Sequence, residues 1–258
     1  MADEKQIDVK LYDGSIARLE CHSTLFSVSE LARQYAKAGY PDRYCILAER
    51  VPFTTQNGKA MEYQDGIFLS IILRPNLFSS QASLIAPLTA VALATALDEH
   101  TTARCGIGWL SDVFSDSEKI GGCTVEGRLN SYSSFEYLII NISVRLNEKS
   151  FPTRMSDLIK KVFVEGNASL NQIIAKTIIQ KFFLVFRDLK EPKKHIEKYM
   201  EKFILRGKKI KFIDGGKKRP CKVVDVNPDT CALIVEDRLG RKLSVSSPSM
   251  TVIPDRIK

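Results

Sequence analysis

The sequence predicts an α+β protein: a mixed or antiparallel sheet with packed helices, followed by a small β-barrel. Three observations carry that prediction. Strand-like and helix-like runs alternate through the first half of the chain. Ile140, Ile142, Val144 and Leu146 alternate with Asn141, Ser143, Arg145 and Asn147, the pattern of a strand covered on one side only. The tail breaks into short β-rich runs, Lys208–Asp214, Arg219–Val226, Ala232–Asp237 and Arg241–Ser246, separated by Asp-Gly-Gly, Asn-Pro-Asp and Leu-Gly turns.

In chain order, Ile7–Leu11 and Ile16–Cys21 read as a hairpin around Asp13-Gly14. Ser27–Ala38 has apolar residues at helical spacing behind a serine able to cap it. Arg43–Glu49 and Ile67–Arg74 are apolar runs of strand length. Between them, Arg50 to Gly66 is a 17-residue stretch without apolar periodicity, and a loop that long inside a compact domain is usually functional or mobile. Pro87–Glu99 carries alanine and leucine on every face, which marks a helix buried against a sheet. Residues 170–189 and 193–205 read as two helices broken at Pro192.

A chain of 258 residues suits one large domain or a large plus a small one. With 44% hydrophobic and 26% charged residues, 14 Gly and 10 Pro, collagenous, disulfide-scaffold and wholly disordered classes are excluded. The net charge of +8 is uneven: residues 1–180 hold 18 Lys/Arg against 20 Asp/Glu, and residues 181–258 hold 20 against 10. The six cysteines form no C-x-x-C pair, and the acidic Met1-Ala2-Asp3-Glu4-Lys5 leads into no apolar h-region, so a reducing, cytoplasmic location is expected. Leu84–Leu97, the longest apolar stretch, is too short to span a bilayer and is interrupted by Pro87 and two threonines, so no membrane partner is expected. His22, His100 and His195 lie far apart and suggest neither a metal site nor a His-based triad.

Six strings in consistent order resemble the biotin protein ligase family, of the kind without an N-terminal DNA-binding domain, over nearly the whole chain. They are Ser23-Thr24 after a strand, Ala48-Glu49 before the long loop, and Leu69-Ser70-Ile71-Ile72-Leu73-Arg74-Pro75. The others are the buried helix with Pro87, Trp109-x-x-Asp112-Val113 followed by Lys119-Ile120-Gly121-Gly122, and Gly207-Lys208-Lys209-Ile210-Lys211. The resemblance implies the class II synthetase-like biotin/lipoate ligase fold over residues 1–206 and an SH3-like barrel over 207–258.

It also implies a site that departs from the family. A glycine- and arginine-rich loop there wraps biotin and the adenylate, because glycine lets backbone N–H groups approach phosphate and arginine offers a forked donor. Here Arg50 to Lys59 match only at Gly58 and Lys59, and Val51 stands where the family has a glutamine that bonds biotin. The family lysine before tryptophan is Gly108, and loss of such a cation costs roughly 10²–10³ in rate. The family's Gly-x-Gly-x-Asn strand is Asn141-Ile142-Ser143-Val144-Arg145.

The resemblance therefore implies a vestigial ligand site of Ser23, Thr24, Val51, Gly58, Lys59, Trp109, Ser111, Asp112, Lys119, Gly122, Asn141, Ser143 and Arg145, with no residue expected to act catalytically. The expected function is a catalytically degenerate biotin protein ligase homologue, a pseudoenzyme serving as a binding or structural subunit of a larger assembly, with no cofactor. The alternative is an active biotin or lipoate ligase with a rearranged site, using ATP, Mg²⁺ and biotin. A biotinyl or lipoyl carrier domain is a further candidate partner. The basic run Lys193, Lys194, Lys198, Lys202, Arg206, Lys208, Lys209, Lys211, Lys217, Lys218 and Arg219 suits a protein assembly or a polyanion, RNA or acidic protein tails.

Overall fold

The computed structural model describes residues 5–54, 61–100, 104–115, 118–145, 169–214, 217–246 and 251–254. Its main body is an eight-stranded mixed sheet in the order β1-β2-β3-β4-β8-β7-β6-β5. The strands are β1 Lys5–Lys10, β2 Ile16–His22, β3 Tyr44–Thr54, β4 Met61–Leu73, β5 Cys105–Ile107, β6 Asp112–Ser115, β7 Glu118–Leu129 and β8 Phe135–Arg145. Only β2 and β3 run parallel, joined by the crossover helix α1, Val28–Lys37. Gly14 supplies the positive φ in the turn between β1 and β2.

Helix α1 starts where Ser27 Oγ accepts the Glu30 N–H at 3.2 Å, and it buries Val28, Ala32 and Ala36 on one face of the sheet. Helix α2, Ile85–His100, packs on the other face and is buried nearly all round. Its threonines are satisfied internally, Thr89 on the Ile85 carbonyl and Thr95 on that of Val91, both at 2.7 Å. Among the described residues Ala82–His100 is the one segment long and apolar enough to cross a membrane, and here it lies in the core. Helices α3, Leu170–Arg187, and α4, Lys193–Lys202, cover α2 and are separated at Pro192.

The tail is a five-stranded antiparallel sheet in the order β12-β11-β10-β9-β13, comprising β9 Lys209–Asp214, β10 Lys217–Val226, β11 Leu233–Glu236, β12 Lys242–Val245 and β13 Thr251–Pro254. The fifth strand was not anticipated from the sequence. Trp109 Nε1 donates to the Cys231 carbonyl of this region at 2.9 Å, and just ahead of it the Ile204 N–H donates to the Ile107 carbonyl at 3.0 Å.

One expectation is corrected. The stretch from Arg50 to Gly66 is mostly ladder: β3 runs on to Thr54 and β4 begins at Met61, with Arg50, Val51, Pro52, Phe53 and Thr54 opposite Asp65, Gln64, Tyr63, Glu62 and Met61. Arg50 Nε bonds Asp65 at 2.9 Å, and its guanidinium lies 5.5 Å from the Tyr63 ring centre. Cross-strand pairs rather than burial hold these two strand ends together, so they leave no apolar periodicity in the sequence. Pro52 is tolerated because β2 stops pairing with β3 at Ala48, leaving β3 an edge beyond that point.

Candidate functional site

A cavity of about 350 Å³ opens above the sheet on the α1 side. The start of α1 walls it from Phe26 to Ser29, β3 contributes Val51 and Pro52, and β4, β7 and β8 form the floor. Lys119 Nζ reaches Asp112 Oδ1 at 2.7 Å along one wall, and Lys119 is the only lysine or arginine lining the cavity among the described residues. Gly122 keeps that wall thin: a Cβ there would sit 3.0 Å from the Ser111 carbonyl oxygen and 3.2 Å from Asp112 Oδ1.

The floor is a polar chain. Ser70 Oγ donates to Asn141 Oδ1 at 2.6 Å, and Asn141 Nδ2 donates to Glu126 Oε1 at 2.9 Å. Glu126 in turn holds Arg33 of α1 through Nε at 3.2 Å and Nη2 at 2.9 Å. The hydrogen bond and charge of Glu126 raise the Arg33 pKa, and Arg33 also bonds Glu30. This chain fixes the amide of Asn141 with its oxygen toward Ser70, and it ties α1 to the sheet.

Of the residues expected from the sequence, Val51, Asp112, Lys119, Gly122, Asn141 and Ser143 line the cavity. Ser23 and Thr24 lie at the end of β2 and do not line it. Arg145 is exposed at the end of β8 opposite Gly66, past the cavity mouth. Trp109 and Ser111 line a neighbouring cavity of about 1090 Å³, which shares Asp112, Lys119, Cys123 and Thr124 with the first and reaches Cys231 of the tail sheet. Ser111 Oγ is committed to the Cys123 carbonyl at 2.7 Å. Gly58 and Lys59 lie outside the described residues.

Gly108 does not line the first cavity. A Cβ there would meet Phe114 Cε2 at 2.7 Å, and its N–H donates to the Asp112 carbonyl at 2.8 Å. Among the described residues the positive charge lining the cavity is that of Lys119.

Sequence reasoning missed the Phe26–Ser29 wall, Phe68, and the Arg33–Glu126 clamp. Ser27 was legible as a helix cap, but nothing local says that a cap also faces a cavity.

The basic run divides. Lys202 Nζ is bound to Asp98 at 2.5 Å and to the Cys105 carbonyl at 3.2 Å, and Arg206 pairs with Asp225 at 2.8 Å. Lys193, Lys194 and Lys198 lie on α4; Lys209, Lys211, Lys217, Lys218 and Arg219 lie on β9 and β10, with Lys208 just ahead of them.

The architecture matches solved structures across nearly its whole length. The apo biotin protein ligase of Aquifex aeolicus superposes with a TM-score of 0.68 at 16% identity, covering 92% of this chain and 99% of that one. The chain has the biotin protein ligase fold. The same Aquifex enzyme in complex with biotin and ATP gives 0.67 at 18% identity, again over 92% and 99%. A biotin protein ligase-like protein of unknown function from Silicibacter sp. TM1040 gives 0.59 at 13%, over 84% and 88%. In sequence the likeness is weaker: the bifunctional ligase/repressor BirA of Bacillus subtilis is 23% identical over 172 residues, 64% of this chain. This chain spans about half the length of the curated relatives it matches. No family model matches it.

Proposed function

We propose that this chain uses the biotin protein ligase fold as a binding or structural subunit of a larger assembly, without adenylation chemistry. The observation that carries this reading is the ladder between residues 50–54 and 61–65. Where the resemblance calls for a glycine-rich loop from Arg50 onward, with free N–H groups around a phosphate, residues 50–54 of this chain form a strand laddered to residues 61–65. A laddered strand is a poor cradle for an anion.

The remaining groups fit the ligands unevenly. The cavity has the size of a small-molecule site and a polar floor at Ser70 and Asn141 that suits a compact hydrogen-bonding ring such as that of biotin. At the position of the family glutamine, Val51 offers no donor or acceptor. For Mg²⁺ and triphosphate the described walls offer one ammonium, and Asp112 already neutralises it. The described residues therefore do not fit a magnesium nucleotide.

The test is incubation of the full chain with biotin, ATP and Mg²⁺, reading pyrophosphate release and biotinyl-adenylate. Neither should form above the uncatalysed background; turnover at an ordinary enzymatic rate overturns the reading.

Lys119 favours a second reading, an active biotin or lipoate ligase whose rearranged site draws its charge from this residue. That reading requires a concentration-dependent rise in Tm with biotin or lipoate plus ATP. It also requires that Lys119→Ala abolish pyrophosphate release.

A further inference from the structure

Strand register assembles part of the basic run into one surface. In an antiparallel ladder, directly opposed residues share a face. Lys209 of β9 opposes Lys222 of β10, Lys222 opposes Glu236 of β11, and Glu236 opposes Lys242 of β12. One row of four charged residues thus crosses four strands. Lys211, opposite Pro220, and Lys218, opposite Ile213, continue the same face along β9 and β10.

Burial agrees with this assignment. Lys209, Lys211, Lys218, Lys222 and Lys242 are exposed, while of the alternate residues Ile210, Cys221, Val223 and Val235 are buried and Arg219 and Leu243 are exposed. The face therefore carries five lysines against Glu236 and Asp225, which lies opposite Ile234 and is paired with Arg206. At a rise of about 3.4 Å per residue and about 4.8 Å between strands, it covers roughly 14 by 14 Å.

Two features point to a ligand. Like charges directly opposite each other weaken a sheet, yet Lys209 and Lys222 are so placed when either position could hold a neutral residue without disturbing the core. The cations at these paired positions are also all lysines, which meet phosphates as point charges without the bidentate geometry that arginine brings to carboxylate and phosphate alike. The paired residues of this face include no aromatic side chain on which an unpaired base could stack. We infer that the outward face of the C-terminal sheet binds the phosphate backbone of double-helical nucleic acid, without reading its sequence. This inference goes beyond the proposed function and does not depend on it.

The test is fluorescence anisotropy of the full chain with a labelled mixed-sequence duplex of about 20 base pairs, as DNA and as RNA, across a salt series. About four phosphate contacts give a slope of log K against log[salt] near −4, so raising salt from about 50 to 200 mM should weaken binding about 10²-fold. Replacing Lys209, Lys211, Lys218 and Lys222 together by Gln should cost about 10²-fold at low salt and flatten the slope. The corresponding Gln variant of Lys193, Lys194 and Lys198 on α4 should keep both affinity and slope. If the fourfold variant fails to fold by circular dichroism, Lys209→Gln with Lys222→Gln should reduce the slope by about 2. The DNA and RNA arms show which double helix is preferred. The inference is overturned by no saturable binding of either duplex at about 50 mM salt, by an equal loss in the α4 variant, or by polyglutamate binding more tightly than both duplexes.

Discussion

Glu20→Ala should be among the most damaging single substitutions outside the cavity. Glu20 is 3% exposed on β2, and its carboxylate is the meeting point of three groups: His22 Nε2 at 2.6 Å, the Tyr35 hydroxyl at 3.2 Å and the Tyr44 hydroxyl. His22 and Tyr44 are buried as well, whereas Tyr35 is half-buried and can turn to water. Two stranded buried donors at about 1–3 kcal/mol each, together with the void left by the side chain, give about 3–5 kcal/mol. That is a large share of the roughly 5–15 kcal/mol that holds a domain folded. The assay is equilibrium urea unfolding followed by far-UV circular dichroism and by the fluorescence of Trp109. The midpoint should fall with the slope unchanged, and Glu20→Gln, which keeps one acceptor, should lose less than half as much. Because Tyr35 belongs to α1, whose first turn walls the cavity, hydrogen exchange should quicken in α1 before it quickens in α2. A loss below about 1 kcal/mol for Glu20→Ala would refute the reasoning, since it would mean that the donors find other partners at no cost.

Four further outcomes are expected. Gly108→Lys should not restore adenylation and should cost about 1–3 kcal/mol by overpacking against Phe114, read as a fall in Tm; a neutral effect would show that Phe114 yields. Lys209→Gln should stabilise the fold by a few tenths of a kcal/mol in the same urea assay, because it relieves the opposition to Lys222, and a loss would count against that opposition. Burial pushes the thiols of Cys21 and Cys221 up to about 11 and those of Cys105, Cys123 and Cys231 to about 12, and it raises the phenols of Tyr35 and Tyr44 as well. Since the unfolded chain then releases these protons first, the stability they contribute is complete below about pH 8.5 and declines as pH rises through about 9 to 12; a flat Tm across that interval would contradict the assignment. For the same reason Ellman's reagent at about pH 8 should label the native cysteines far more slowly than a free thiol, and all six only in urea, a thiol labelled at once in the native protein being the contrary result.

Most of the architecture was legible because its signals are local. Ser27 caps α1, Pro192 divides α3 from α4, Gly14 turns the first hairpin, and the all-round apolar surface of α2 announces burial. The alternation at 140–145 was only half informative. It marks Asn141, Ser143 and Arg145 as the more open side, yet earlier on β8 both faces are covered, with Tyr137 and Ile139 buried beneath α1. Strands as short as Cys105–Ile107 and Thr251–Pro254 carry too few residues to display a period. In the site, six of the thirteen residues that the resemblance implies, drawn from β3, β6, β7 and β8, do line the cavity. What could not be read were meetings between distant elements: Arg33 and Glu126 stand 93 positions apart and meet because α1 packs across β4 and β8, beside β7.

The position of α2 in the chain has a consequence for biosynthesis. By the time His100 leaves the ribosome, the most apolar helix of the protein has been made, but α3 and α4, which shield it, have not. At roughly 5–20 residues per second, the interval before Lys202 is added is about 5–20 s. During that delay the nascent polypeptide carries its greasiest segment without the two helices that later shield it.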